Sequence, residues 1–167
     1  IKINNRRNFS GIPNDAIITI DKLDKIGADG VKEELRKKGH PESFLEELQN
    51  KPLDQDTKKI IEEYYPHLIG ENRDTIKYTP TLARGLDYYT GSIFEVSING
   101  YTGGSVGGGG RYDNLIGTFM EDRNLPADKQ VPAVGFAFGF DRLIEAMTEK
   151  DLFPSELTPT KTLVTLF

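Results

Sequence analysis

The chain has 167 residues, enough for one domain with a small appendage. It carries 26 acidic against 21 basic residues, a formal net charge of −5, which excludes the strongly basic surface field of many nucleic-acid-binding domains. It has no cysteine, which excludes disulfide frameworks, thiolate zinc sites and cysteine nucleophiles. No apolar run approaches the roughly 20 residues of a membrane span and no signal peptide opens the chain, so we expect a cytoplasmic protein without a membrane partner.

Residues 1–20 alternate short apolar runs with turn-forming residues such as Pro13-Asn14-Asp15, and we expect them to contribute strands. The chain begins at Ile1 without a methionine and ends on an apolar run from Leu163. We therefore expect a piece of a longer protein.

Residues 21–78 are charged, poor in glycine and helical in pattern. Asp29 can cap a helix that runs through Lys38 and stops at Gly39, with Val31 and Leu35 on one face. Two further short helices are predicted from the apolar residues Phe44, Leu45 and Leu48 and then Ile60, Ile61, Tyr64 and Tyr65. The narrow apolar stripes predict a small, half-solvated helical insertion.

The titratable residues of this helical part indicate no site. His40 and His67 are isolated, have no partners at metal or catalytic-triad spacing, and are interpreted as surface residues. No metal site is predicted. The basic run Arg36-Lys37-Lys38 could contact a phosphate, but such runs are usually solvated faces, and we favour that interpretation.

After Pro80 the pattern changes to strands. Phe94, Val96 and Ile98 alternate with polar residues, and Asn99-Gly100 then predicts a tight hairpin. The returning strand is expected to run from Tyr101 into the glycine cluster, after which Asp113 can cap a helix that carries Leu115, Ile116 and Phe119. A further strand covers residues 133–140 and is followed by a helix from residue 141. Strands joined by hairpins, with helices following them, predict an α+β fold in which an antiparallel sheet is backed by helices.

A glycine cluster at residues 103–113 (GGSVGGGGRYD) invites a phosphate-loop interpretation. The P-loop pattern fails because Arg111 and Tyr112 follow the glycines, and the Rossmann spacing fails as well. Two interpretations stay open. The glycines either end a strand or allow close approach by a ligand or another backbone.

Arg142 follows residues 133–141 (AVGFAFGFD) and lies in the first turn of the predicted helix. It could pair with Glu145, or it could bind an anion together with the free N–H groups of the helix. Because Gly135, Ala137 and Gly139 alternate with phenylalanines, the strand has one flat face and one packed face, and a planar ligand could lie on the flat face.

A second arginine, Arg84, precedes the tyrosine pair Tyr88-Tyr89. The two phenol rings should point to opposite sides of a strand or tight turn, so at most one of them would face a given pocket squarely. The alternative is that both pack at a sheet edge.

Three segments together resemble the histidyl-tRNA synthetases, a family of class II aminoacyl-tRNA synthetases. Residues 82–96 (LARGLDYYTGSIFEV) are similar to the family's histidine-binding segment, and residues 109–115 (GGRYDNL) to the glycine-rich segment after it. Residues 134–143 (VGFAFGFDRL) resemble class II motif 3. The resemblance is firm over residues 79–147 and looser over residues 1–8.

The resemblance implies a division of the chain into four parts. Residues 1–20 would be strands of the catalytic core, residues 21–78 a helical insertion, and residues 79–158 the catalytic core with motif 3. Residues 159–167 would begin a truncated anticodon-binding domain. Motifs 1 and 2 of class II enzymes are not found, so the dimer interface of a homodimeric parent would be missing, and we expect the piece alone to be inactive.

The resemblance also implies a reaction in which histidine is activated by ATP, with Mg²⁺ accompanying the nucleotide, and is then transferred to tRNA(His). Arg84 would contact the α-phosphate and the histidine carboxylate. Tyr88, Tyr89 and Tyr112 would line the histidine pocket, with Tyr89 reaching the imidazole ring, and Arg142 would hold the γ-phosphate. The alternatives are a non-catalytic paralogue (a regulatory subunit of histidine biosynthesis or a tRNA-sensing module) and a plain interaction domain.

Overall fold

The computed structural model of the chain describes residues 1–64, 75–121 and 130–154. Its centre is a five-stranded sheet with the order β2-β1-β3-β4-β5. The strands are β1 (Lys2–Asn5), β2 (Lys77–Tyr78), β3 (Ser92–Val96), β4 (Gly107–Tyr112) and β5 (Ala133–Phe138). The pair β1–β2 is parallel, and the other neighbouring pairs are antiparallel. The predicted α+β class is confirmed, with one parallel pair added at an edge of the sheet.

The helices in the described part of the chain are α1 (Asn14–Ile20), α2 (Leu23–Lys37), α3 (Ser43–Gln49), α4 (Gln55–Lys59), α5 (Leu115–Glu121) and α6 (Phe140–Glu149). A 3-10 turn, Arg6–Phe9, follows β1, and a π-helical turn, Ile60–Tyr64, continues α4. The three helices predicted for the insertion are therefore present. Tyr65, His67 and residues 159–167, which also carried predictions, lie outside the described residues.

Residues 14–20 form helix α1, and the expectation of strands throughout residues 1–20 is wrong for this part. Ala16, Ile17 and Ile20 are buried, whereas Ile18 is exposed. This is the i, i+1, i+4 spacing of one helix face, while a strand would place Ile18 and Ile20 on the same side. The helical period outweighs the turn signal of the preceding proline.

Helix α2 begins six residues before the predicted cap at Asp29 and bends at Gly27. Gly27 has φ +70°, a left-handed value that glycine adopts without steric cost. Beyond this bend the helix follows the prediction, because Val31 and Leu35 are fully buried and Gly39, at φ +77°, follows its end.

One buried cluster, here called the joint core, links the helices to the sheet. Its apolar members lie on the 3-10 turn, on α1, α2, α3 and β3 and on the segment after β2, and they include Phe9, Ile17, Ile20, Val31, Leu35, Leu45, Leu48, Leu82, Tyr89 and Ile93. The helices α1 to α3 therefore pack against the same interior as the sheet.

The connection between β3 and β4, residues 97–106, is longer than the predicted tight hairpin. Asn99 and Gly100 do form a turn, in which Gly100 has φ +75° and the Tyr101 N–H donates to the Ile98 carbonyl over 3.1 Å. Tyr101 does not return as a strand residue. Its hydroxyl donates to Glu145 of α6 over 2.6 Å, which ties this loop to the helix.

The alternation along β5 predicted one flat and one packed face, and the flat face is present, but Phe136 and Phe138 on the other face are exposed. Phe94 on β3 stacks on Phe136 with ring centroids 5.6 Å apart, and Phe138 meets Phe136 edge to face. The opposite side, here called the flat face, carries Gly108, Gly110, Gly135 and Ala137, which are paired across the ladder. The flat face leaves room for side chains from other segments.

The basic run of α2 is neutralised by glutamates. The ion pairs are Arg36–Glu42 at 2.7 Å, Lys37–Glu33 at 2.7 Å and Lys38–Glu34 at 3.0 Å. His40, predicted as a surface residue, lies within 2.7 Å of the Asp15 carboxylate, and only 16% of its side chain is exposed. The solvated-face interpretation of the run is supported, whereas His40 is more enclosed than expected.

Candidate active site

Arg84 and Arg142 come from distant parts of the sequence and line the same cavity. This cavity, here called the arginine cavity, has a volume of about 750 Å³. Both arginines also line a neighbouring hollow of about 460 Å³ over the flat face, between Gly108 and the start of α6. The sheet and the first turn of α6 thus bring together the two cations that sequence analysis singled out.

Arg84 lies directly on the glycine strand. A Cβ at Gly108 would be 2.6 Å from Nη1 of Arg84, so only glycine lets the guanidinium approach this closely. Nη1 donates to Oε2 of Glu95, on the neighbouring strand β3, over 3.2 Å. The interpretation of close approach, left open for the glycine cluster, therefore holds at Gly108, where the approaching group is Arg84.

A second carboxylate near Arg84 is that of Asp21, which lies beside Gly85. Asp21 is exposed as a residue, but its carboxylate lines the arginine cavity and accepts a hydrogen bond from the Gly85 N–H. Burial of the carboxyl group, and then the negative charge of Glu95, raise the pKa of Asp21, while Arg84 opposes that rise. Arg84 thus lies among two acids and a backbone amide.

Arg142 lies in the first turn of α6, as predicted, but it does not pair with Glu145. Its Nη1 donates to the Ser105 carbonyl over 3.0 Å, while Glu145 accepts the hydrogen bond from Tyr101. A cation beside the free N–H groups of a helix start is suited to anion binding. The geometry favours that alternative over the structural ion pair.

The three tyrosines form a separate cluster on the same face of the sheet. The ring of Tyr88 lies 4.6 Å from that of Tyr89 and 5.7 Å from that of Tyr112. The expectation that Tyr88 and Tyr89 point to opposite sides is wrong, because their two rings are in contact with each other. Burial, together with a hydrogen bond to Tyr89, raises the pKa of Tyr88 to about 12.

The tyrosine cluster adjoins the arginines without lining either cavity. A Cβ at Gly110 would lie 2.9 Å from the Tyr89 ring, so Tyr89 covers Gly110 in the same way that Arg84 covers Gly108. Gly108 and Gly110 are two positions apart on one strand, a spacing of roughly 6.6 Å. Arg84 and Tyr89 are therefore neighbours above β4.

Glu95 and Asp21 are residues of this site that no motif in the sequence singles out. Glu95 could have been found, because it alternates with Phe94 and Val96 and so has to face the side opposite their aromatic layer. Asp21 gave no such signal, because it follows a helix that was not predicted. Among the described residues, no group of three or more histidines, aspartates or glutamates could hold a metal ion, and no helix there is long and apolar enough to cross a membrane.

The raised pKa of Asp21 leads to a stability prediction. An acid whose pKa is higher in the folded than in the unfolded state costs stability once the pH exceeds the folded value, and costs nothing below the unfolded value, here 3.8. We expect Asp21→Asn to raise the free energy of unfolding at pH 7, with the gain shrinking as the pH falls towards 4. Urea denaturation between pH 7 and 4 measures this, with Asp29→Asn on α2 as control. A loss of stability at pH 7 would contradict the prediction.

Comparison with known proteins agrees with the fold. The family model for histidyl-tRNA synthetase matches residues 17–143. The histidine–tRNA ligase of Cytophaga hutchinsonii is 41% identical over 204 aligned residues, which cover 100% of this chain and 43% of that protein. The ligase of Phocaeicola vulgatus is 35% identical, over 93% of this chain and 40% of its own length.

A crystal structure of histidyl-tRNA synthetase from Nostoc sp. PCC 7120 superposes with a TM-score of 0.63 at 26% identity, over 92% of this chain and 42% of that one. The chain thus spans about two fifths of the length of these relatives. Both comparisons confirm the resemblance carried by the three motif segments. The chain belongs to the histidyl-tRNA synthetase family.

Proposed function

We propose that this chain is part of a cytoplasmic histidine–tRNA ligase. In the first step a carboxylate oxygen of histidine attacks the α-phosphorus of ATP, the bond from that phosphorus to the β-phosphate oxygen breaks, and pyrophosphate leaves with its Mg²⁺. In the second step a ribose hydroxyl at the 3′ end of tRNA(His) attacks the acyl carbon of histidyl-adenylate, and AMP leaves. The observation that carries this proposal is the shared cavity of Arg84 and Arg142.

In this proposal the protein supplies position and charge. Arg84 contacts the α-phosphate and the histidine carboxylate, where negative charge accumulates as the phosphorus becomes five-coordinate. Arg142 holds the γ-phosphate beside the N–H groups of α6. Tyr88, Tyr89 and Tyr112 form the histidine pocket, with Tyr89 reaching the imidazole, and the closeness of Tyr89 to Arg84 above β4 supports this arrangement.

The parent protein would be a homodimer with residues 1–20 and 79–158 in its catalytic core and residues 21–78 as a helical insertion. The joint core is consistent with an insertion that packs firmly against the catalytic sheet. Residues 159–167 would lead into an anticodon-binding domain.

We expect the chain alone to show no histidine-dependent ATP–pyrophosphate exchange and to bind ATP weakly. The reason is that it spans 43% of the Cytophaga ligase, and the segments that resemble motifs 1 and 2 are not found in it. Isothermal titration with Mg²⁺–ATP measures the affinity. A dissociation constant in the low micromolar range, or exchange by the chain alone, would contradict this expectation.

The function itself is tested in a hybrid ligase, in which this chain replaces the matching segment of the Cytophaga hutchinsonii enzyme. We expect the hybrid to catalyse histidine-dependent pyrophosphate exchange and to charge tRNA(His). A hybrid that folds cooperatively and binds tRNA but shows no exchange would favour the non-catalytic paralogue.

A further inference from the structure

Glu95 stands out among the acidic residues because of its position. It lies on β3, a central strand with β1 on one side and β4 on the other, and it faces Lys2 and Gly108 in the two ladders. A residue in such a strand has a fixed backbone, and its side chain projects from a known face. Its carboxylate lines the arginine cavity.

The Arg84–Glu95 pair is more enclosed than other ion pairs of the chain. The exposed fractions of the two side chains are 24% and 22%, and this is the one ion pair between described residues in which both values lie below a quarter. Exposed pairs hold their partners loosely, whereas an enclosed charge that loses its partner is strongly disfavoured. The pair therefore restricts where the guanidinium can lie.

Three contacts define that location. Glu95 accepts from Nη1, the backbone of Gly108 lies beneath the same nitrogen, and the Asp21 carboxylate is near on the side of Gly85. A guanidinium has five N–H donors in a rigid fork. With one arm held by Glu95, the fork has further donors for a group in the cavity that Arg84 lines.

We propose that Glu95 is a positioning residue, which holds Arg84 over Gly108 so that the free donors of its guanidinium face the reacting phosphate and carboxylate. This inference rests on the proposed function, in which Arg84 makes those contacts. Glu95 itself touches no substrate. It acts through the placement of Arg84.

A positioning role has a kinetic signature, because a carboxylate beside Arg84 also lowers the positive charge of the cavity. Removing it loosens the guanidinium, which slows the chemical step, yet it also makes the cavity more attractive to an anion. In the hybrid ligase we expect Glu95→Ala to lower kcat on the order of 10- to 100-fold, without any rise in the KM for ATP. Glu95→Gln keeps an acceptor oxygen in place and should retain more activity than Glu95→Ala.

A second measurement reports on Arg84 directly in the chain itself, without activity. Nitrogen-15 NMR gives the rate at which the two Nη groups of Arg84 interchange by rotation, with the signal assigned from Arg84→Lys. We expect Glu95→Ala to speed this rotation by about tenfold, because a charge-assisted hydrogen bond is lost. Glu42→Gln, which removes the partner of the exposed Arg36 on α2, serves as the matched control and should change neither kcat nor the Arg84 signal.

The outcomes separate this inference from the proposed function. One outcome is that the Arg84 guanidinium rotates slowly in the wild-type chain and faster in Glu95→Ala, while the hybrid ligase shows no exchange activity. That outcome would support the positioning role of Glu95 and overturn the proposed function. Rotation in the wild type as fast as in Glu95→Ala would overturn the positioning whatever the activity. So would a Glu95→Ala hybrid whose kcat stays within twofold, or one whose KM for ATP rises as kcat falls.

Discussion

Replacing Arg84 by alanine in the hybrid ligase is expected to lower the rate of histidyl-adenylate formation by on the order of 100-fold or more. One well-placed donor to a developing negative charge contributes about 2.7–4 kcal/mol at the transition state. Arg84 fits this role because it is held by Glu95 over 3.2 Å and lies on Gly108, so its charge is placed before the reaction begins. Histidine-dependent ATP–pyrophosphate exchange measures the rate.

Two further variants show whether the shape of the guanidinium matters. Arg84→Lys keeps the charge but removes the planar fork, so most of the loss should persist. Arg36→Ala removes an exposed arginine of α2 that pairs with Glu42, and it should leave exchange unchanged. Exchange that remains within a fewfold of wild type in Arg84→Ala would refute the role assigned to Arg84.

Gly109→Ala should be the most damaging small substitution in the sheet. A Cβ at Gly109 would lie 2.0 Å from the carbonyl oxygen of Gly135, a backbone atom that cannot move without opening the ladder between β4 and β5. Overpacking that forces side chains and backbone to shift costs about 1–3 kcal/mol, occasionally more. We expect a loss at or above the upper end of that range in the free energy of unfolding of the chain, measured by urea denaturation.

Gly139→Ala is the matched control for this experiment. The nearest atom to a Cβ at Gly139 is 3.8 Å away, an ordinary contact, and its φ of −77° suits any residue. Its effect should stay within about 1 kcal/mol. Equal stabilities for the Gly109 and Gly139 variants would show that β4 tolerates a side chain at position 109. Steric crowding would then not explain why a glycine occupies that position.

Much of the sheet could be predicted because its signals are local. The alternation of Phe94 and Val96, and of glycine with phenylalanine along β5, marks strands and also tells which face is flat. The stop of α2 at Gly39 and the start of α6 before Arg142 are likewise carried by one or two residues each. These predictions do not depend on contacts between residues that are distant in the sequence.

The rest depended on contacts between distant segments. The i, i+1, i+4 spacing that identifies α1 competes in the sequence with the turn signal of Pro13 and the residues after it. The side chains of Tyr88 and Tyr89 converge because the segment turns over Gly110, which no spacing rule reports. The partner of Arg142 is a carbonyl from the 97–106 loop, and a backbone partner leaves no mark in the sequence.

Through the joint core, a ligand bound at the sheet would also stabilise the helices α1 to α3. Since Val31, Leu45 and Ile93 belong to one buried cluster, the helices and the strands should melt together in a single cooperative transition. A molecule that binds only the native form raises the melting point of everything in that cooperative unit. Occupancy beside Arg84 would thus protect the amides of α2 and α3 from hydrogen exchange, although neither helix needs to touch the bound molecule.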